Sequence, residues 1–494
     1  MPKPRLEHVL SMLLVGACSN LLALTGCSAL LDSSEAHFVD AETLADDPRA
    51  QPDWMRRMLP PLPQLRGYFG AFPVLYADAL LLAAPGQTFS GDANYGKVFR
   101  YEVPNARAEP LAFELTQELS VADGTADQGV FEYAGFPEPD LQYSMAMEGD
   151  TLVIGVAADK KCGGINGAVH VFEREPHGYV ERQVLRPATC GAWRFGRSVL
   201  LIDDELIVGA VGDDSTIATE GNTQTGRVFI YRRGTAAKFA LFQELQMEPK
   251  IDGAFFGFSI AGDHDRLAIG ATFVRNALLE DHTATDPSTV YVYRRSSGKY
   301  ADPDSLRSPL GAAAQDAFGW SIAVQGDTIA VGAPFDRSAS ANDPTSTGEL
   351  RSGAVYVYQG GRTTRLKAER IERESWYGWS VALADERLLV GSPNASDRPA
   401  TLLTGSSTDA AESQSGIVYL YERARPDAAF KVRATFEAPD RKQQMTARFG
   451  TYITLNTSVA AIAAPFKGSP SSGIARAGAA YLIDLTRLPP LPTE

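Results

Sequence analysis

The chain is poor in the residues that usually carry chemistry. Six histidines and four cysteines are spread over 494 residues. No His-Glu-x-x-His, Gly-x-Ser-x-Gly, Walker loop, Cys-x-x-Cys or glycine fingerprint occurs, so zinc protease, serine hydrolase, nucleotide-binding and dithiol chemistry all lack their sequence signatures. Past the N-terminal segment the histidines are His37, His170, His177, His264 and His282. They are scattered without a shared register and read as packed or surface residues. Positive charge is also short: 46 Lys and Arg against 60 Asp and Glu leave a formal charge of -14. That balance repels nucleic acid and anionic lipid surfaces, and no nucleic-acid partner is expected. Beyond the first thirty residues no apolar run is long enough to span a bilayer.

What is present begins with a leader. Lys3 and Arg5 precede an apolar segment, Val9 to Leu24, that is interrupted by Ser11, Ser19 and Asn20 and reads as a signal peptide. It ends in Leu24-Thr25-Gly26-Cys27, which resembles the lipobox of bacterial lipoproteins. The resemblance implies cleavage after residue 26, lipidation (palmitate) of Cys27, and contact with the membrane through that lipid only. Ser28 is similar to the outer-membrane sorting pattern, so the expected location is the outer membrane of a Gram-negative bacterium, facing either the periplasm or the cell surface. Residues 27–66 shift to Asp, Glu, Ala and Pro and read as a tether, with Phe38, Trp54, Met55 and Met58 as residues that dock on the domain. Cys18 leaves with the leader and Cys27 takes lipid; the two that remain, Cys162 and Cys190, are expected to form a disulfide in an exported protein.

The rest of the chain is a repeat. The stretch Phe318-Gly319-Trp320-Ser321-Ile322-Ala323-Val324 runs through a Gln-Gly-Asp turn into Thr328-Ile329-Ala330-Val331-Gly332-Ala333-Pro334, a tight antiparallel hairpin. A third strand follows at Ala354 to Tyr358. The Phe-Gly pair returns at Phe69, Phe195, Phe256 and Phe449, as Tyr377-Gly378, and in degenerate form as Leu141-Gln142. Thirteen residues past the second member of each pair stands a small residue: Ala83, Gly155, Gly209, Gly270, Gly332, Gly391 and Ala463. Each copy has its third strand and most have a more polar fourth. Seven units of four antiparallel strands predict an all-β, seven-bladed propeller over residues 67–486, with a proline-rich tail at 487–494. A parallel β-helix would need shorter and more regular coils.

Too little chain follows the last third strand to complete the seventh blade. Its outer strand is therefore expected from the N-terminal segment, with His37 to Thr43 as first candidate. Turns between strands one and two are short, whereas the loops between two and three are long and vary (211–225, 335–352, 393–415). Such loops over a rigid scaffold mark the presumptive working face.

The repeat resembles the FG-GAP repeat of the integrin alpha-subunit β-propeller and of bacterial proteins similar to it. Those propellers hold calcium in Asp-rich loops between strands one and two. Here each hairpin keeps a single acid (Asp78, Asp150, Asp204, Asp265, Asp327, Glu386; Ser458 in the last) where calcium needs six to eight oxygens, so no metal or cofactor is expected there. A looser cation site using Asp213, Asp214, Asp336, Asn342 or Asp343 has no supporting spacing. The resemblance also implies an aromatic cup at the channel mouth, formed by the residues after each Phe-Gly. These are Ala71, Tyr143, Arg197, Phe258, Trp320, Trp379 and Thr451, of which Tyr143, Phe258, Trp320 and Trp379 make the candidate binding cup. The expectation is a non-catalytic, lipid-anchored module contacting a protein or glycan. The alternatives are an enzyme with loop-borne acids on the same face and an outer-membrane assembly factor.

Overall fold

The computed structural model describes residues 52–64, 66–86, 96–104, 109–120, 143–157, 159, 166–191, 193–212, 225–234, 238–251, 253–272, 288–296, 298–311, 316–338, 351–369, 374–395, 415–439, 447–468 and 476–488. They form seven four-stranded antiparallel sheets, and no helix occurs among them. Blade 5 represents the set, with strands Ser321–Gln325, Thr328–Ala333, Ala354–Gln359 and Arg362–Leu366 in sequential order. The second strand is buried on both faces throughout, as a strand between two neighbouring blades must be. The fourth is largely exposed and polar.

The predicted closure is present, but the strand is a different one. Met55–Met58 pairs antiparallel with Ala479–Asp484, Met55 opposite Ile483 and Met58 opposite Ala480, and so supplies the outer strand of blade 7. The candidate His37 to Thr43 is displaced from that position and itself lies outside the described residues. Met-Arg-Arg-Met suits an outer edge: Met55 and Met58 are buried in the cores of blades 7 and 1, while Arg56 is exposed and donates to the Leu111 carbonyl at 2.6 Å.

The Phe-Gly pair is a turn that fastens one blade to the one before. Gly319 has φ +86° and Ala317 before the pair has φ +54°, which lets the Trp320 N–H reach back to the Ala317 carbonyl at 3.0 Å. The same turn recurs at Tyr68, Arg194, Phe255, Trp376 and Arg448. It leaves the glycine carbonyl facing the preceding blade, where a serine two residues past that blade's own pair donates to it. Ser144 reaches Gly196, Ser198 reaches Gly257, Ser259 reaches Gly319, Ser321 reaches Gly378 and Ser380 reaches Gly450, all within 2.6–2.9 Å. The small residue of the Gly-Ala-Pro position makes room: a Cβ on Gly332 would stand 2.0 Å from the Gly378 carbonyl oxygen.

A second clasp binds the outer strands. Gln117 takes the Tyr179 N–H on its Oε1 (2.8 Å) and donates Nε2 to the Tyr179 carbonyl (3.0 Å). Gln183 does the same to Phe239, and Gln243 to Tyr300. These three lock blades 1 to 4 in series.

Candidate functional site

The axial cavity, about 310 Å3, is where the first strands converge. Phe258, Trp320 and Trp379, three members of the expected cup, come together there. Phe258 and Trp320 lie 5.0 Å apart between ring centroids, and Trp320 and Trp379 4.4 Å apart. Phe258 is buried and the two tryptophans are half-buried. Tyr143 begins the first strand of blade 2, but its side chain lies outside the described residues.

Ala71 and Thr451 are buried and add no ring. Their neighbours do. A register shift between Ala71 and Val74 puts Phe72 at φ +50°, and its ring meets Tyr452 at 4.1 Å across the seam between blades 7 and 1, both lining the cavity. Sequence reasoning missed these two because the ring sits one residue later than in the other copies.

Two more rings back the cup. Trp376 stacks on Trp379 at 5.0 Å and 20°, and Phe335 meets Trp320 edge-on at 5.7 Å. The signals were in the sequence: Trp376 precedes Tyr377-Gly378, and Phe335, like Phe466, directly follows an Ala-Pro pair.

Cations of the chain itself already face these rings. The Arg197 guanidinium lies 4.4 Å from the Phe258 centroid, that of Arg448 lies 5.0 Å from Trp376, and that of Arg351 lies 5.7 Å from Phe335. Arg197 is the only charged residue lining the axial cavity among the described residues.

Behind the mouth lies a buried polar peg. The Lys367 ammonium donates to Asp336 Oδ1 (3.0 Å), the Ser338 carbonyl (2.6 Å) and Ser352 Oγ (3.0 Å), while the Tyr356 hydroxyl donates to Asp336 Oδ2 (2.9 Å). Burial alone would raise the Asp336 carboxyl, but Lys367 and Ser338 outweigh it and hold it below the usual range. Burial lowers Lys367 in turn. Asp336 is thus a structural anchor, and the Gly353 N–H that bonds its carbonyl (3.0 Å) fixes the start of the third strand. Asp316 is pushed up to about 6 by burial, against a bond from Ser308 Oγ that lowers it.

On the opposite face the hairpin residues hold the end of the third strand. The backbone carbonyls of Asp78, Asp150, Asp204, Asp265, Glu386 and Ser458 each accept an N–H from the end of the third strand at 2.8–3.2 Å. Every residue type offers that carbonyl, which is why Ser458 fits. In blade 5 the Asp327 carboxylate does the work, accepting from the Gly360 N–H at 2.9 Å and pairing with Arg266 at 2.5 Å. Arg266 above all, and then the Gly360 bond, hold it below the usual carboxylate range. Among the described residues no three His, Cys, Asp or Glu side chains are grouped to hold a metal ion.

His170 is buried with Nδ1 2.9 Å from Glu181, and exposed His264 is raised by its hydrogen bond with Asp203. His177 is exposed, and His37 and His282 lie outside the described residues. So do Cys162, Asp213, Asp214, Asn342, Asp343, most of the long two-to-three loops and the lipobox at Cys27; Cys190 is exposed on the turn after blade 2.

Residues 308–358, the copy in blade 5, match the FG-GAP repeat family model. A solved structure of a hypothetical selenium-binding protein from Sulfolobus tokodaii is similar over 73% of this chain and 75% of its own, at 10% identity and a TM-score of 0.41. Among curated proteins none matches the chain.

Proposed function

We propose that this FG-GAP β-propeller is a non-catalytic binding module, anchored by a lipid on Cys27 to the outer membrane, that engages a protein or glycan through the face carrying the channel mouth. The observation that carries the reading is the aromatic mouth. Phe72, Phe258, Trp320, Trp379 and Tyr452 meet from five blades over one cavity, and Trp320 and Trp379 keep part of their surface open. Half-buried rings on a rigid frame offer large contact area at little entropic cost, the property of interface anchors. The expected two-to-three loops frame the same face. Arg197 and Arg448 face Phe258 and Trp376, and the half-buried Trp320 and Trp379 present exposed ring surface at the mouth. A Cys162–Cys190 disulfide would tie two loops of that face together.

One observation favours a second reading, in which the rings only plug the channel: Trp320 and Trp379 also pack on each other and on Phe335 and Trp376. Replacing Trp320 and Trp379 together by Leu separates the two. As a recognition surface, the double variant melts within a few degrees of the parent and loses capture of surface partners in a crosslinking pull-down from intact cells. As a plug, it melts far lower or captures the same partners. An unacylated Cys27 in the intact mass of membrane-extracted protein would remove the anchor from the proposal.

A further inference from the structure

Taking the mouth as the binding surface proposed above, we infer that the axial cavity binds one uronate unit of an acidic glycan, its sugar ring on Trp320 and Trp379 and its carboxylate on Arg197. At about 310 Å3 the cavity lies at the small end of ligand pockets, with room for a single sugar unit. All seven blades contribute residues to its wall.

The charge of the wall selects the sign of the ligand. Among the described residues Arg197 is the only charged one that lines the cavity, and no carboxylate does. Its guanidinium is held 4.4 Å from the Phe258 centroid, and a guanidinium carries its N–H donors in a fork that matches a carboxylate. A cationic ligand would bring a second positive charge into the cavity with no acid to offset it. A free amino acid fails on its ammonium for the same reason, and a phosphate monoester brings nearly two charges to one cation. A single carboxylate balances the wall.

Three more arginines stand on rings of the same clusters. Arg448 lies 5.0 Å from the Trp376 centroid and 5.5 Å from that of Phe466, Arg351 lies 5.7 Å from Phe335, and Arg476 lies 5.7 Å from Phe466. Phe335 and Trp376 cluster with Trp320 and Trp379, and Phe466 with Phe72 and Tyr452. Glu374 beside them accepts from the Trp376 Nε1 at 3.3 Å. Among the described residues, four arginines of a chain of net charge -14 are thus gathered around one opening. Salt screens charges beyond about 8 Å, so this local sign, and not the net charge, acts on a bound unit and on its acidic neighbours along a glycan.

The uncharged part of the wall selects the sugar. Ser144, Ser198, Ser259, Ser321 and Ser380 all line the cavity, and each hydroxyl gives its proton to a glycine carbonyl. A hydroxyl whose proton is engaged offers only lone pairs, so the wall is rich in acceptors and suits a ligand that brings several O–H donors. Trp320 and Trp379 supply half-buried ring faces on which the C–H side of a pyranose packs. Donor hydroxyls, an apolar ring face and one carboxylate on a compact frame together describe a uronate.

Tryptophan fluorescence titration of the full-length protein with oligogalacturonate and with oligomannuronate tests the assignment, each against the same oligosaccharide with its carboxylates reduced to alcohols. A saturable change in emission is expected with at least one oligouronate, at least about tenfold tighter than with its reduced control, which is what one charge-assisted contact contributes. The oligosaccharide that binds names the sugar configuration. Arg197→Gln is expected to weaken the oligouronate by about tenfold or more while binding the reduced control as the parent does, and Arg197→Lys, which keeps the charge without the fork, is expected to fall between. No saturation by either oligouronate, reduced controls that bind equally, or an Arg197→Gln variant that folds and binds oligouronate as the parent does would overturn the assignment. The acid and its reduced control are compared on the parent protein, so that comparison decides even where a variant fails to fold. Lost partner capture in the Trp320 and Trp379 double variant, together with no oligouronate binding by the parent, would strike the uronate and leave the mouth as a binding surface.

Discussion

From blade 2 through to blade 7, each junction passes a serine hydroxyl onto the glycine carbonyl of the next Phe-Gly turn. At the seam between blades 7 and 1 the serine is missing, and so is the glycine of the small-residue position. Tyr452 and Ala463 stand there, and the junction is made by the Tyr452–Phe72 ring contact, by a bridge of Phe69 to Gly478, and by the borrowed strand Met55–Met58. The two residue types change together for a reason. The space that a Cβ on Gly332 would take lies 2.3 Å from Ser321 Oγ as well as 2.0 Å from the Gly378 carbonyl, so the hydroxyl and the missing side chain are one device. Where the hydroxyl is absent, alanine is admitted.

The largest expected effect is at the seam. Replacing Met55 and Met58 together by Ala removes two buried side chains from the only strand that seals blade 7, at a cost of about 4 to 8 kcal/mol from large-to-small core substitutions. Chemical denaturation should show the loss. A change under about 1 kcal/mol would mean that the ring holds without that strand.

Next comes the clasped side. Gly332→Ala forces a methyl against the backbone of Gly378 and should cost about 3 to 5 kcal/mol, at or above the upper end for overpacking because backbone and not a pliable side chain must move. The reverse change at the seam, Ala463→Gly, should cost no more than about 1 kcal/mol. Equal losses in thermal melts would erase the distinction between the two kinds of junction.

The smallest concerns the junction of blades 4 and 5, where Asp316 accepts from Ser308 Oγ and from the Phe318 N–H (3.1 Å), and its carbonyl accepts from the Phe335 N–H (3.1 Å). Burial raises its carboxyl from an ordinary 3.8 to about 6, so the fold prefers the protonated form. Its contribution is present below pH 4 and is lost as pH rises through 6, amounting to at most about 3 kcal/mol. Asp316→Asn should flatten that fall between pH 4 and 6 in a stability-against-pH series. An unchanged slope would show that another group titrates there.

The fold was legible because Phe-Gly and the small residue thirteen positions later both sit at backbone contacts that admit little else. Closure by an N-terminal strand was legible too, from the chain left over after Ala479 to Ile483. Which strand was not: Met-Arg-Arg-Met is too short to show a period of two, and its arginines hide its buried ends. Of the mouth, Phe258, Trp320 and Trp379 were readable from register alone. Phe72 and Tyr452 were not, since their rings stand one residue later than in the other copies, Phe72 at a register shift in its strand. The serines stood in plain register as well, but a serine in a strand announces nothing until the carbonyl it meets is known. The glutamine clasps were invisible for the same reason, their partners being backbone on another blade.

The pairing of Met55–Met58 with Ala479–Asp484 also sets an order of events during synthesis. Among the described strands the first made is the last to find its neighbour, more than four hundred residues later. Six sheets have all their strands in sequence and can assemble as they emerge, while the seventh waits for both ends of the chain. Through that interval Met55–Met58 is an unpaired edge with two methionines to hide. Arg56 and Arg57 at its centre are the charges that keep such an edge from recruiting the wrong strand. Once the ring shuts they take up new duties, Arg56 on the Leu111 carbonyl of blade 1, so that the guard of the nascent chain becomes the latch of the finished one.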